Sequence, residues 1–209
     1  MRRVQPAIAS FICLGLMLAS GGATADPAER LSEALQDMHA FSASFHQRVE
    51  NEFGSMLEES EGIFHLQRPR ALLWQTYAPF PVVVSTTDTH VRIYDQDLAQ
   101  VTEMRLDELL AGTPAGIILT AGEQMTEMFE VTQRGVRDAS AYTLTPAADD
   151  AEFVRVDMVF DHVGLAELDI EDALGNRTKV RFDDRRVNEP IADEAFEVIY
   201  PDGVDWLRQ

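Results

Sequence analysis

Arg68 stands where the pattern around it calls for an apolar side chain. Gly62, Phe64, Leu66 and Arg68 fall on one face of a period-two stretch, with Ile63, His65 and Gln67 on the other. A guanidinium beside an apolar face is costly unless its donors are satisfied, so Arg68 calls for a designated hydrogen-bonding partner. The other reactive side chains form no constellation. His39, His46, His65, His90 and His162 show no ligand spacing, although His46 and His65 lie on the polar face of adjacent strands. Asp149-Asp150-Glu152 and Asp169-Glu171-Asp172 lack the D-x-[DN]-x-[DN]-G calcium loop and read as solvated strand ends. There is no G-x-S-x-G elbow, H-E-x-x-H pair, phosphate-binding glycine loop or dinucleotide fingerprint. Carboxylate pairs suited to glycoside hydrolysis occur in any chain this acidic, and none stands out. The reading is therefore no catalytic residue, no metal and no cofactor: not an enzyme.

The elements that must position Arg68 are strands. Phe41, Ala43, Phe45, Gln47 and Val49 alternate with Ser42, Ser44, His46, Arg48 and Glu50. Pro69 ends the following strand, and Ala71 to Tyr77 forms a third, with Leu72 and Trp74 sharing a face. Strand patterns cover about 41–51, 60–68, 71–77, 82–87, 91–96, 98–104, 128–134, 140–145, 153–161, 165–172 and 176–183. Pro27 to His39 reads as a helix with Leu31, Leu35 and Met38 at helical spacing. Asp107 to Ala121 carries Gly112, Pro114, Gly116 and the run Ile117-Ile118-Leu119, and reads as one or two short helices, either a functional lid or an ordinary cap. Ala173-Leu174-Gly175-Asn176 supplies a turn. About eleven hairpin-linked strands with three short helical segments make a mainly β (α+β) fold, its sheet antiparallel with one apolar and one wet face. Periodicity does not separate a packed core from a cavity.

The first 25 residues read as a cleavable Sec signal peptide: Arg2 and Arg3, then Ala7 to Leu18, then Ala23-Thr24-Ala25 as an A-x-A site. The apolar run is short of the ~20 residues of a spanning helix. Residues 26–209 then form a single domain without a linker or repeat. Cys13, the only cysteine, leaves with the signal and has no lipobox, so thiol chemistry, disulfides and lipid attachment go with it. The signal holds two arginines and no acids, and its loss moves the formal charge from −19 to −21. That acidity argues against nucleic acid and anionic headgroups as partners and permits basic protein surfaces.

Phe41-x-Ala43-x-Phe45-x-Gln47, Gly62, Leu66-Gln67-Arg68-Pro69, Trp74, Pro79, Tyr94-Asp95, Leu98 and Gln100-Val101 follow in an ordered series. Asp172, Gly175, Phe182, Asn188, Phe196 and Tyr200-Pro201-Asp202-Gly203-Val204-Asp205 continue it. The series resembles the LolA family of periplasmic lipoprotein carriers over nearly the whole mature chain. The resemblance implies an incomplete antiparallel β-barrel with short helices forming a lid over a hydrophobic cavity. It implies acylated, outer-membrane-directed lipoproteins as cargo, received from the inner-membrane LolCDE transporter and passed to a LolB-like receptor, or to the membrane directly. It further implies a monomer in the periplasm.

Under that resemblance the wall for acyl chains is Phe45, Phe64, Leu66, Leu72 and Trp74, then Val84, Ile93, Val156, Met158, Phe160, Ile170 and Val180. For each of them taken singly, ordinary core packing is the default role, because apolar residues default to burial. Arg68 becomes the latch to a lid carrying Leu31, Leu35, Pro114, Ile117, Ile118 and Leu119. Two positions depart from the family: Leu72 and Leu73 stand where an aromatic and a polar residue are usual, and Asp88-Thr89 where Asp-Gly is usual. The first lies near the region the family uses to meet its transporter. A competing class is the lipid-sensing module of RseB regulators, which carry a further domain. Another is a periplasmic hydrolase, for which the residues offer no positive case.

Overall fold

Period-two alternation builds one sheet. The computed structural model describes residues 26–69, 71–106, 114–120, 125–136, 139–148, 151 and 153–208, without the side chains of 114, 115 and 136. The signal segment, Asp149, Asp150, Glu152 and the stretches 107–113 and 121–124 lie outside the described residues. The strands are β1 Ala40–Glu50, β2 Met56–Gln67, β3 Ala71–Ala78, β4 Val82–Thr86, β5 His90–Asp95 and β6 Gln100–Arg105. Further along the chain follow β7 Phe129–Val136, β8 Ala139–Pro146, β9 Phe153–Phe160, β10 Leu165–Asp172, β11 Arg177–Val187 and β12 Asp205–Arg208. The helices are α1 Pro27–Gln36, α2 Pro114–Leu119 and α3 Met125–Met128, with a 3-10 turn at Asp193–Phe196. The sheet order is β12-β6-β5-β4-β3-β2-β1-β11-β10-β9-β8-β7, so β1 against β11 joins the two halves of the chain.

The sheet is open but curled. β2 and β7 are six places apart in it, which in a flat sheet would be about 29 Å at the usual strand spacing. Yet α1 reaches both. Leu35 accepts a hydrogen bond from Arg68, just beyond β2, and Arg30 donates from its Nε to Gln133 Oε1 on β7. A ten-residue helix is only about 15 Å long, so the sheet must wrap around it. α1 is started by a capping box between Asp26 and Glu29 with Pro27 in its first turn, and it buries Ala28, Leu31 and Leu35.

The inner face is set by register. Phe64 pairs with Ala43 and Trp74, Leu66 with Phe41 and Leu72, and Phe45 with Phe182 and Gly62. These side chains, with α1, α2 and α3, make one core extending to Phe129, Leu144, Phe153 and Leu165. The outer face carries a second, smaller core. Leu73, Val83, Tyr94 and Val101 are covered by Phe196, Val198, Tyr200 and Val204 of the C-terminal segment. Across β1, β11, β10 and β9 the outer face is instead laced by ion pairs such as Arg177–Asp169 and Arg155–Glu171.

The helix expected to reach His39 stops at Gln36, where Asp37 caps it and frees Met38 to bury its side chain. The β2 strand expected from 60 begins at Met56, because the hairpin turn at 51–55 is tight. Against the expected eleven strands, the described residues form twelve. β12 runs parallel to β6, an exception to the antiparallel rule that follows from the C-terminal segment crossing the outer face before it pairs. The strand expected from 128 begins at Phe129, because Met125–Met128 is a helical turn.

Candidate functional site: an arginine between sheet and helices

Arg68 follows the last residue of β2, and its backbone N–H donates to His39 O at 2.9 Å. That bond fixes the side chain at the end of the sheet where α1 hands over to β1. The guanidinium then donates to four carbonyls. Nε reaches Met38 O at 3.1 Å and Nη2 reaches Leu35 O at 2.8 Å, at and just beyond the end of α1. Nη2 also reaches Ile118 O at 2.9 Å, and Nη1 reaches Leu119 O at 2.6 Å, at the end of α2. The last carbonyls of a helix have no partner within it and carry partial negative charge. One planar cation therefore satisfies the open ends of two helices and ties both to the sheet.

Below the arginine lies the apolar face. Phe45, Phe64, Leu66, Leu72, Val156, Met158, Phe160 and Val180 are all buried in the main core, with Trp74 and Ile170 partly buried against it. Val84 and Ile93 share the same face by register, both opposite each other and in line with Trp74, but stand outside that cluster. From the helices, Leu31 and Leu35 are fully buried, and Ile117, Ile118 and Leu119 nearly so. Pro114 opens α2, and its side chain is outside the described residues. Among the described residues, the helices' own side chains pack against the inner face of the sheet.

The aromatic centre of this face extends beyond the residues expected from the sequence. Phe41 and Phe182 meet edge to face with centroids 5.5 Å apart, and both contact Phe64, at 5.8 and 5.7 Å. Trp74 closes the group on Phe45 at 4.5 Å. Phe182 follows Val180 in the same alternation, so the signal was present. Met125 also enters the core, as do Phe129 and Phe153 from the starts of strands expected at 128–134 and 153–161.

Chemically this arrangement offers burial of apolar surface under a hydrogen-bonded clasp. The other histidine singled out, His65, lies on the outer face against Phe196 and is pushed below its ordinary pKa by burial. An open groove of about 450 Å³ lies on the outer face among His46, Arg48, Glu59, Glu167, Asp169 and Lys179, too polar to shelter an apolar chain. Among the described residues no group of three or more His, Cys, Asp or Glu side chains is gathered as for a metal. Among them, too, no helix is long and apolar enough to cross a membrane.

The family profile described as outer membrane lipoprotein carrier protein LolA matches residues 36–199. The chain is 34% identical over 209 residues to the outer-membrane lipoprotein carrier protein of Chromohalobacter salexigens, covering 100% of this chain and 99% of that one. It is 33% identical over 198 residues to that of Hahella chejuensis, covering 93% and 94%. Among solved structures, an uncharacterized conserved protein from Thermus thermophilus superposes with a TM-score of 0.54 at 10% identity, over 88% of this chain and 97% of that one, a likeness of fold.

Proposed function

The chain belongs to the LolA family of outer membrane lipoprotein carrier proteins, and on that premise we propose that it carries acylated lipoproteins through the periplasm to the outer membrane. The export signal read in residues 1–25 supports that compartment. An acyl chain in water costs about 0.8 kcal/mol per methylene relative to an apolar environment, so several long chains need continuous cover. In this proposal the inner face of the sheet gives that cover once α1 and α2 move aside, and the acyl chains take the places of Leu31, Leu35, Ile117, Ile118 and Leu119. The observation that carries the reading is Arg68, whose four bonds hold both helices over the main apolar cluster of the described residues. Cargo comes from the LolCDE transporter and goes to a LolB-like receptor, or directly to the membrane where that receptor is missing.

The test incubates purified protein with spheroplasts holding newly made outer-membrane lipoproteins, with a known carrier as positive control. The expected result is soluble lipoprotein in a one-to-one complex with the chain. If the known carrier releases lipoproteins and this chain does not, carriage is refuted, and lipid sensing becomes the reading to pursue.

A further inference from the structure

Exposed apolar side chains gather at one end of the sheet. Antiparallel pairing brings the turns β1–β2, β3–β4, β5–β6 and β10–β11 to the same end, as Glu50 opposite Met56, Thr76 opposite Val82, Asp95 opposite Gln100 and Glu171 opposite Arg177 require. The β10–β11 and β1–β2 tips touch: a Cβ on Gly175 would lie 3.1 Å from that of Glu52. On these tips stand Phe53 (82% exposed), Leu57 (59%), Phe80 (61%), Leu98 (68%) and Leu174 (80%). Isolated exposed apolar residues need no explanation, but one or two on each of four adjacent tips form a patch.

Three of the four tips share a second feature. Phe53 N–H donates to Asn51 Oδ1 at 3.0 Å, Leu98 N–H to Asp95 Oδ1 at 2.9 Å, and Leu174 N–H to Asp172 Oδ1 at 2.8 Å. The backbone donors of these three projecting residues are thus satisfied from within their own turns. Entering a medium of low polarity would leave none of these three donors stranded, which is the usual penalty for inserting a loop. The side chains project from convex turns, a shape that fits a deformable layer better than a rigid groove. The charges beside them, Glu52, Glu58, Asp95, Asp97 and Asp172, are acidic and disfavour anionic headgroups.

We propose that this hairpin edge docks on the surface of a zwitterionic phospholipid bilayer, with Phe53, Phe80 and Leu174 as its inserting side chains. The edge stands apart from Arg68, and docking without cargo is independent of whether the chain carries lipoproteins. A failed spheroplast release and a failed docking test are therefore separate results.

The experiment floats exported, N-terminally verified protein with vesicles of phosphatidylethanolamine and phosphatidylcholine, with and without added phosphatidylglycerol. The wild type is expected to float. The triple variant Phe53→Ser, Phe80→Ser, Leu174→Ser should partition at least about ten-fold less at unchanged thermal stability, because interfacial binding scales with the apolar area inserted. Phe80→Ser alone should lose part of that. Val163→Ser is the control: Val163 occupies the same kind of turn on Asp161 at the opposite end of the sheet, and its loss should change nothing. Phosphatidylglycerol at low salt should weaken flotation. A wild type that stays unbound, a triple variant that floats equally, or binding that anionic lipid strengthens each overturns the proposal. So does a concentration-dependent dimer abolished by the triple variant, which would give the edge to a second copy of the chain.

Discussion

Replacing Arg68 by Leu removes four charge-assisted hydrogen bonds of 2.6 to 3.1 Å and leaves a side chain of the right polarity for the face below. Hydrogen bonds to charged groups contribute about 1.5–3 kcal/mol each when buried, but helix-end carbonyls at a half-buried site regain water, so the summed loss is about 2–4 kcal/mol. If those bonds exist only while the helices lie on the sheet, the closed state alone is destabilised. Lid opening should then rise about 30- to 1,000-fold, at 1.4 kcal/mol per factor of ten. Native-state hydrogen exchange reads this at Thr120, whose N–H is held by Gly116 O at 2.9 Å. Its exchange should accelerate by that factor, while unfolding of the helix-free sheet stays unchanged. An apolar acyl probe should also bind more tightly, since less of its affinity goes into opening, and should leave more slowly. Arg68→Lys should recover less than half of the closure, because an ammonium cannot span carbonyls from two helices. Refutation is clear: if global stability falls by about 2–4 kcal/mol while Thr120 exchange is unchanged, the bonds of Arg68 persist in the open state. The arginine would then be a strand-end fixture and not a latch.

Three further perturbations test the frame around the latch. Gly62→Ala places a Cβ 1.9 Å from Gln75 O and 2.8 Å from the Phe45 ring, and should cost about 3 kcal/mol or more in urea unfolding; a loss below about 1 kcal/mol would mean that β2 and β3 can separate there. Asn188 accepts from His39 N and Ala40 N and donates to Asp37 O, at a backbone φ of 59°, so Ala should destabilise by about 2–4 kcal/mol and Gly by about 1 kcal/mol less. Asp161 is held at a pKa of about 2, below the ordinary 3.8, first by hydrogen bonds from Arg185. A depressed carboxylate stabilises the fold above its unfolded pKa, so up to about 2 kcal/mol should vanish as pH falls from about 4 to 2. Asp161→Asn should flatten the urea midpoint across that window, and an unchanged slope would reject the pair as a source of acid lability.

How much of this could be read from the residues differs by element. The alternation of Phe41 to Val49 and of Phe64 to Arg68 placed the inner face correctly, because one face is dry and a slip of one residue would invert it. The anomaly of Arg68 was legible for the same reason, but its partners were not. They are backbone carbonyls, which every residue has and no sequence pattern marks. Leu72 and Leu73 show the opposite limit. Two adjacent leucines break the alternation, and only the structure reveals that each face of β3 has its own core, Leu73 packing beneath the C-terminal segment. That cover is irregular chain without period. Gly62 and Asn188 stood out as family positions, while their reasons, a close backbone approach and a left-handed turn tied to the α1–β1 junction, are geometric. Val84 and Ile93 lie on the expected face but outside its core, since alternation gives a side and not a depth.

The closed state makes a last prediction whose sign separates a carrier from a plain core. Ile118 and Met158 are both buried in one cluster, one from α2 and one from β9. In an ordinary core, truncating either to Ala costs about 2–5 kcal/mol, and nothing distinguishes them. If acyl chains replace the helices, the two differ. Ile118 competes with cargo for the sheet, whereas Met158 is part of the surface that both must cover. Loading is then an exchange of one apolar cover for another, and the gross hydrophobic terms largely cancel. Ile118→Ala weakens only the competing cover, so it should tighten binding of an acyl probe by about ten-fold or more even as it lowers stability. Met158→Ala should lower stability and weaken probe binding together. A parallel loss of probe binding in both variants would mean that α2 is part of the binding surface and does not vacate it, leaving Arg68 to hold a lid that cargo never lifts.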